Sequence, residues 1–403
     1  MGALGDGRLI VRPAPERTSS GPAISLYYLL VYGAGGITMP FLPQYLKSLG
    51  LTGTELGLLL AMNPALSLVA PPLWAQVSDR TGRPGRALFI VTSGTALAFS
   101  LLLVVKSFAA ALSAFVVYAC FNSAISTLID SMALRHVART GGSYARIRLF
   151  GSLGFASVSL LFGRWVGAVD QRVVVGALTL LGAGAAWSAM SLSYVRARAG
   201  HGPKPSWDAA LGLAQGHDMR VFLVAVAVHW AACGPYHSAL AIHATALALP
   251  THVIGDAATL GVVSEIGVMS IWPRWGHRFS PRVVLCVSFA ASAVRWLGMA
   301  LTSNGTVLVL LSVFHGLTFG VFFLAAVAFM TERVPDSLRA TGQALFVACA
   351  FGVGSLAGVL ATGVGLDLLP NTHALFGISA ALEVIPAVLV LQLKTARPNR
   401  AAD

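Results

Sequence analysis

Apolar stretches long enough to cross a bilayer follow one another along nearly the whole chain. They lie near 22–46, 54–76, 87–106, 108–134, 146–166, 172–195, 219–247, 254–273, 283–302, 305–330, 341–365 and 373–393. In hydrocarbon every backbone amide must find its partner within the protein, so such segments close as helices. About 20 residues at ~1.5 Å each cover a core ~30 Å thick. The pattern predicts an all-α membrane protein of twelve transmembrane helices. Only 10% of residues are charged and mean hydropathy is +0.77, whereas soluble domains carry about 25% charged residues, so a soluble core explains the chain less well.

The formal charge of +12 does not point to nucleic acid, because the basic residues sit in short loops between apolar stretches rather than on one stripe. Read by the positive-inside rule, they set an orientation. Of the 27 Lys and Arg residues, only Lys47, Lys106, Arg164 and Arg172 fall on the outer side, and Arg295 lies inside a span. Both termini are expected on the cytoplasmic side of an inner membrane. Residues 1–21 read as a polar tail carrying Arg8, Arg12 and Arg17. The first apolar stretch exceeds the ~7–15 residues of a signal core and reads as a retained span. The connection 196–218, with Gly200, Gly202, Pro203 and Pro205, reads as a cytoplasmic linker between six-helix halves at 22–195 and 219–393, followed by a tail at 394–403. Cys120, Cys233, Cys286 and Cys349 all fall in apolar segments and read as small apolar fillers.

Three ionisable residues interrupt three successive stretches: Glu265, Arg295 and His315. At ~1.5 Å per residue they lie about 17, 18 and 15 Å from the ends at which their stretches enter. Successive helices run antiparallel, so all three converge near the bilayer midplane. A charge there costs roughly 2.5–3.5 kcal/mol on insertion scales and marks a transport or proton path. Plainer readings exist for each. Glu265 and Arg295 suit a structural ion pair, and His315 suits a hydrogen bond to a neighbouring helix, although its titration range also fits proton exchange. Glu383, midway along the last stretch, suits a structural or interface role as readily as a coupling one. His229, His237 and His243 lack metal-ligand spacing.

The halves echo each other. Leu73-Trp74 precedes Asp79-Arg80-Thr81-Gly82-Arg83, and Ile271-Trp272 precedes His277-Arg278-Phe279-Ser280-Pro281 at the same offset. The first of these resembles the cytoplasmic loop signature of the major facilitator superfamily, with Ala75 where that signature has glycine. The resemblance covers essentially the whole chain and implies two pseudo-symmetric six-helix halves, with Asp79, Arg80, Gly82 and Arg83 as a gate latch. Cys120-Phe121-Asn122, Asp130 and Arg146-Ile147-Arg148-Leu149-Phe150-Gly151 resemble the fourth and fifth helices of lactose-permease-type proton symporters. Ser264-Glu265-Ile266, Val294-Arg295-Trp296 and Phe314-His315-Gly316 resemble their eighth to tenth helices. The stretch from His315 to Phe346 is closest in look to the phenylpropionate-permease, MFS_1-like branch. This likeness implies that Asn122 and Glu265 face substrate, that Arg295 and His315 belong to a proton-coupled network, and that Asp130 pairs with Arg148. Thr318 stands where the lactose-permease group carries its coupling carboxylate.

Nucleophile elbows, phosphate-binding glycine loops and HExxH are absent from the sequence. A membrane acyltransferase using Asp130 and His136 leaves the midplane triad without a purpose, and a receptor on the same fold lacks a sensory appendage. The expectation is therefore a non-enzymatic secondary transporter, a monomer in the lipid bilayer with no cofactor or metal. It moves a small organic solute (an aromatic acid, sugar or nucleoside) with protons by alternating access. A drug or metabolite exporter, or an uncoupled uniporter, is the alternative.

Overall fold

The computed structural model describes residues 20–166, 172–192 and 207–394. The expectations for the 1–19 and 395–403 tails and for 196–206 of the linker lie outside the described residues. The described chain forms helices α1 (Ser20–Ser48), α2 (Gly53–Ser67), α3 (Ala70–Thr81), α4 (Pro84–Leu101), α5 (Phe108–Thr140), α6 (Tyr144–Trp165) and α7 (Arg172–Met190). After the linker come α8 (Trp207–Ala214), α9 (His217–Ala246), α10 (His252–Trp275), α11 (Pro281–Leu301), α12 (Gly305–Arg333), α13 (Asp336–Leu368) and α14 (Thr372–Leu391).

Ten of these are long and apolar enough to cross a membrane, and the pair α2 and α3 makes an eleventh if its 43° bend lies within one span. Pro71 and Pro72 account for that bend. Neither has an N–H to continue the α2 hydrogen-bond ladder, so the helix stops at Ser67 and restarts at Ala70. The stretch expected at 87–106 forms an 18-residue helix, α4, that ends in turns after Leu101. It is not among the helices long and apolar enough to cross, so the count of twelve is met only if α4 also crosses. Helix α8 replaces part of the expected linker with an apolar turn of helix against α9 and α13.

Lipid-facing positions identify themselves by exposure. Leu161, Leu180, Trp187, Leu301 and Leu368 are each more than 60% exposed, which suits hydrocarbon and not water. Inside, the described residues of 20–166 and 172–192, and those of 207–394, form two bundles, each with an apolar core. One is centred on Tyr27, Val91 and Ile129, the other on Phe222, Phe322 and Phe346. A third core joins Phe41 and Phe162 to Ile242 and Ile254 across the two bundles. The bundles meet through α2 on α13, α6 on α10 and α1 on α9.

The tightest cross-bundle contacts gather at the face reached by the C-terminal end of α1. A Cβ on Gly255 would sit 2.3 Å from the Ser159 carbonyl, and Gly163 lies against the same glycine, so only glycine lets α6 and α10 cross there. Asp367 accepts from the backbone of Gly53 at 2.6 Å and of Thr54 at 2.7 Å. Arg164 pairs with Asp256 at 2.7 Å, and the Thr259 hydroxyl donates to the Ala156 carbonyl at 3.0 Å.

Candidate solute site and buried polar chain

Between the bundles lie two adjoining chambers of about 340 and 280 Å³ that share Tyr32, Met39, Phe155 and His237 as walls. The first holds Asn63 and Asn122, with Asn122 Nδ2 donating to Asn63 Oδ1 at 3.1 Å. The second holds Arg148, Glu265 and His315 among Tyr32, Trp230, Tyr236 and Phe319. Its makeup, aromatic walls with a few convergent polar groups, is that of a small-molecule site.

The structure brings the three midplane residues together, with His315 in the middle. Arg295 Nη1 lies 3.3 Å from His315 Nδ1, and His315 Nε2 lies 3.8 Å from Glu265 Oε2. A guanidinium can only donate, so Nδ1 accepts and the neutral ring carries its proton on Nε2, toward Glu265. Arg295 and Glu265 therefore do not form the direct ion pair the sequence allows. Arg295 is fully buried. It donates to Thr318 Oγ1 at 3.0 Å and lies over the rings of Tyr236 at 4.0 Å and Trp296 at 4.6 Å, which offsets part of the cost of its burial. Among the described residues it has no carboxylate within ion-pair distance, and its Nε and Nη2 atoms find no hydrogen-bond partner.

Local backbone sets this geometry. Residues Gly316–Val321 wind as a π-helical turn inside α12, the kind of insertion that re-aims side chains at functional sites. Gly316 donates its N–H to Ser264 Oγ at 3.0 Å, and a Cβ at Gly316 would lie 2.8 Å from the Ser264 carbonyl, so glycine lets α12 approach α10 there.

Asp130 and Arg148 stand near each other but meet other partners. The hydroxyls of Tyr28 and Tyr144 donate to Asp130 Oδ1, the latter at 3.0 Å. The Arg148 guanidinium stacks 4.0 Å over Tyr32 and 5.7 Å from Tyr28, placing it on the chamber wall. In the loop signature Asp79–Arg83, expected to act as a gate latch, Gly82 takes the left-handed conformation (φ +62°) that ends α3. Asp79 lies 3.7 Å from Arg135 of α5, both exposed, and Arg80 and Arg83 are exposed. In the degenerate copy Arg278 lies 4.5 Å over Trp275. The side chain of His277 lies outside the described residues.

A second cluster escaped sequence reasoning. Glu383 is fully buried and lies 2.9 and 3.0 Å, through its two oxygens, from Nδ1 of fully buried His229. Trp296 Nε1 donates to Glu383 at 3.2 Å, and His229 Nε2 lies 3.1 Å from the Thr318 carbonyl. Ligating atoms of His229, Cys233 and Glu383 all fall within 4.8 Å of one another. His229 thus joins an acid from α14 rather than His237 or His243. The available signal was Glu383 itself, a lone acid in an apolar stretch followed by Pro386. Asn63, Tyr236 and Trp230 carry no such mark in the sequence.

The fold and its central cavity are those of a multi-pass membrane transporter built from two helical bundles. The profile of the MFS_1 like family matches residues 23–376, and the chain belongs to that family. It is 28% identical to the maltose permease of Geobacillus stearothermophilus over 381 residues, covering 94% of this chain and 95% of that protein. It is 28% identical to a probable 3-phenylpropionic acid transporter of Escherichia coli (strain K12) over 375 residues, covering 91% and 96%. The crystal structure of the nucleoside transporter NupG superposes with a TM-score of 0.81 at 15% identity, covering 94% of this chain and 100% of that one. The chain is accordingly a transporter and not an enzyme.

Proposed function

We propose that this protein is a proton-coupled symporter of the inner membrane, with both termini cytoplasmic, that takes up a small ring-bearing solute rich in hydroxyls, a sugar or a nucleoside. The observation that carries this reading is the second chamber. Glu265 offers carboxylate oxygens to hydroxyl donors, Arg148 and His315 face it, and Tyr32, Trp230, Tyr236 and Phe319 supply ring faces for stacking. A relative named for maltose supports the hydroxyl-rich reading. Arg148 on the chamber wall favours a second reading, an aromatic carboxylate held at its guanidinium.

With the termini inside, the cross-bundle seal at Gly53–Asp367, Gly163–Gly255 and Arg164–Asp256 stands on the periplasmic side, which supports an inward-facing reading of this conformation in an alternating-access cycle. Coupling to protons is supported by the chain of titratable groups from Glu265 through His315 to the buried interior.

A thermal-shift screen of the purified protein against sugars, nucleosides and aromatic acids tests the reading. A sugar or nucleoside is expected to raise Tm in the wild type and lose its effect in Glu265→Gln. Stabilisation by an aromatic acid alone, lost in Arg148→Gln and kept in Glu265→Gln, selects the second reading.

A further inference from the structure

We infer that Glu383 of α14 and His229 of α9 together form the site that holds the transported proton, with Arg295 as the cation that receives Glu383 once the proton has left. The inference deepens the symport reading above and rests on it for the word transported.

The hydrogen-bond pattern fixes a proton between the two side chains. Thr318's carbonyl can only accept, so the proton of His229 Nε2 is committed to it at 3.1 Å. Nδ1 then faces two carboxylate oxygens at 2.9 and 3.0 Å. Either Nδ1 carries a proton, giving imidazolium and carboxylate, or Glu383 carries it and donates to the Nδ1 lone pair. Both arrangements contain one proton more than neutral histidine beside a free carboxylate. Without it, a nitrogen lone pair would face an anion in a site closed to water, and the contact would have to break. The conformation described here is therefore the loaded one.

The surroundings indicate where Glu383 goes next. Trp296 of α11 donates to it at 3.2 Å, Cys233 of α9 stands within the cluster, and Ser379 of its own helix is the backbone acceptor one turn earlier. From α11, Arg295 is joined to the same cluster through Thr318, whose carbonyl accepts from His229 and whose hydroxyl accepts from Arg295. Two of its nitrogens, Nε and Nη2, are buried without partners. An unpaired buried donor is costly, and a freed Glu383 carboxylate supplies the missing acceptor. Both helices bearing the pair are broken where the switch requires movement. Helix α9 breaks at Cys233 before Pro235, and α14 breaks at Glu383 before Pro386.

Arg295 also bonds His315, and His315 faces Glu265 in the solute chamber. A move of Arg295 toward Glu383 therefore alters the solute site, which is the linkage a symporter needs. Sodium is a poor alternative occupant, because the Trp296 N–H points at the carboxylate a cation would use and His229 offers nitrogen.

The test uses proteoliposomes given radiolabelled maltose, uridine and 3-phenylpropionate in parallel. The label is supplied outside under an imposed pH gradient to read accumulation, and outside vesicles preloaded with the unlabelled solute to read exchange. Glu383→Gln keeps an acceptor for Trp296 and a donor for His229 Nδ1, imitating the loaded form. It is expected to exchange solute near the wild-type rate while losing gradient-driven accumulation, and His229→Gln is expected to do the same. Undiminished accumulation in Glu383→Gln overturns the inference and leaves symport standing. A wild type that ignores the gradient overturns the symport reading instead. Infrared pH titration of the solute-free protein gives an independent readout. A carboxyl or imidazolium band should disappear in Glu383→Gln and persist in Glu265→Gln, and a band indifferent to Glu383 sinks the proposal. If Glu383→Gln fails to fold, Glu383→Asp serves in its place. Its shorter reach should shift the pH midpoint of coupled uptake, and a wild-type profile overturns the assignment. Stoichiometric zinc in the purified protein, lost in Cys233→Ala, would mean the cluster is a metal site and would overturn it too.

Discussion

Asp367 at the end of α13 caps the first turn of α2 from across the bundle interface, accepting from the Thr54 backbone and hydroxyl, each at 2.7 Å. The helix also has its own cap, since Thr52 and Glu55 form a reciprocal capping box. The Asp367 contact is thus an extra bond made only while this face is closed. A carboxylate on the positive end of a helix dipole is favourable, and losing a cap of this kind costs about 1 kcal/mol.

Asp367→Ala is expected to leave folding intact, because the capping box remains, and to shift the population toward the state open at this face by about fivefold, the factor that 1 kcal/mol supplies. Spin labels at Lys47 and Leu369 should show a larger population of long distances. An unchanged distance distribution would mean the contact does not contribute to the seal.

Topology offers a direct check. Cysteines at Arg83 and Lys204 should label only from the cytoplasm, and one at Lys47 only from outside. Labelling of position 204 from outside would break the arrangement of two halves joined by a cytoplasmic linker.

Much of the fold was legible because membrane helices must be both long and apolar. Eleven of the expected stretches recur as helices long and apolar enough to cross, the second of them only as the bent pair α2 and α3, while α4 forms a helix that does not meet that measure. The bend at 68–69 needs two prolines acting on one ladder. Of the site, Glu265, Arg295 and His315 could be read because charge at mid-depth is costly enough to be rare. Who pairs with whom could not. Helical depth gives height along the membrane normal but not rotation about the helix axis, and rotation places His315 between Glu265 and Arg295. The same gap hid Glu383, whose depth was visible but whose orientation toward His229 was not.

Asp79 at the end of α3 and Arg135 of α5 are half-exposed and 3.7 Å apart, so their pair adds little to stability, about 0–1 kcal/mol. Asp79→Asn should therefore express at wild-type level. The pair lies within one bundle and is present in this conformation, so the latch reading requires a further Asp79 contact made when the cytoplasmic face closes. Asp79→Asn is then expected to lower transport by raising the inward-open population, seen as faster labelling of a cysteine at Glu265 from the cytoplasm. Normal exchange kinetics would reduce the motif to a topology signal.

Glu265→Gln removes the chamber's anionic acceptor while keeping its shape. A hydrogen bond to a charged group contributes about 1.5–3 kcal/mol, so affinity for a hydroxylated solute should fall about tenfold or more. Exchange at saturating solute should survive. A Kd unchanged by the substitution would place the solute in the neighbouring chamber of Asn63 and Asn122.

The glycine crossing of α6 and α10 yields the sharpest mechanical expectation. A Cβ at Gly255 would lie 2.3 Å from the Ser159 carbonyl and 3.3 Å from the Cα of Gly163. Both obstacles are backbone, so a side chain at 255 cannot be accommodated by a rotamer change and the helices must separate. The atoms nearest that Cβ all belong to α6, across the interface, so the strain falls first between the bundles. Gly255→Val should therefore fold and bind solute from the outer face, yet fail to reach the conformation described here. Accessibility of a cysteine at Thr259, one turn deeper, should rise from outside and vanish from inside. Transport should be lost in both net and exchange modes, unlike the selective uncoupling expected of Glu383→Gln. Wild-type transport by Gly255→Val would show that the seal at this crossing is not required in the cycle.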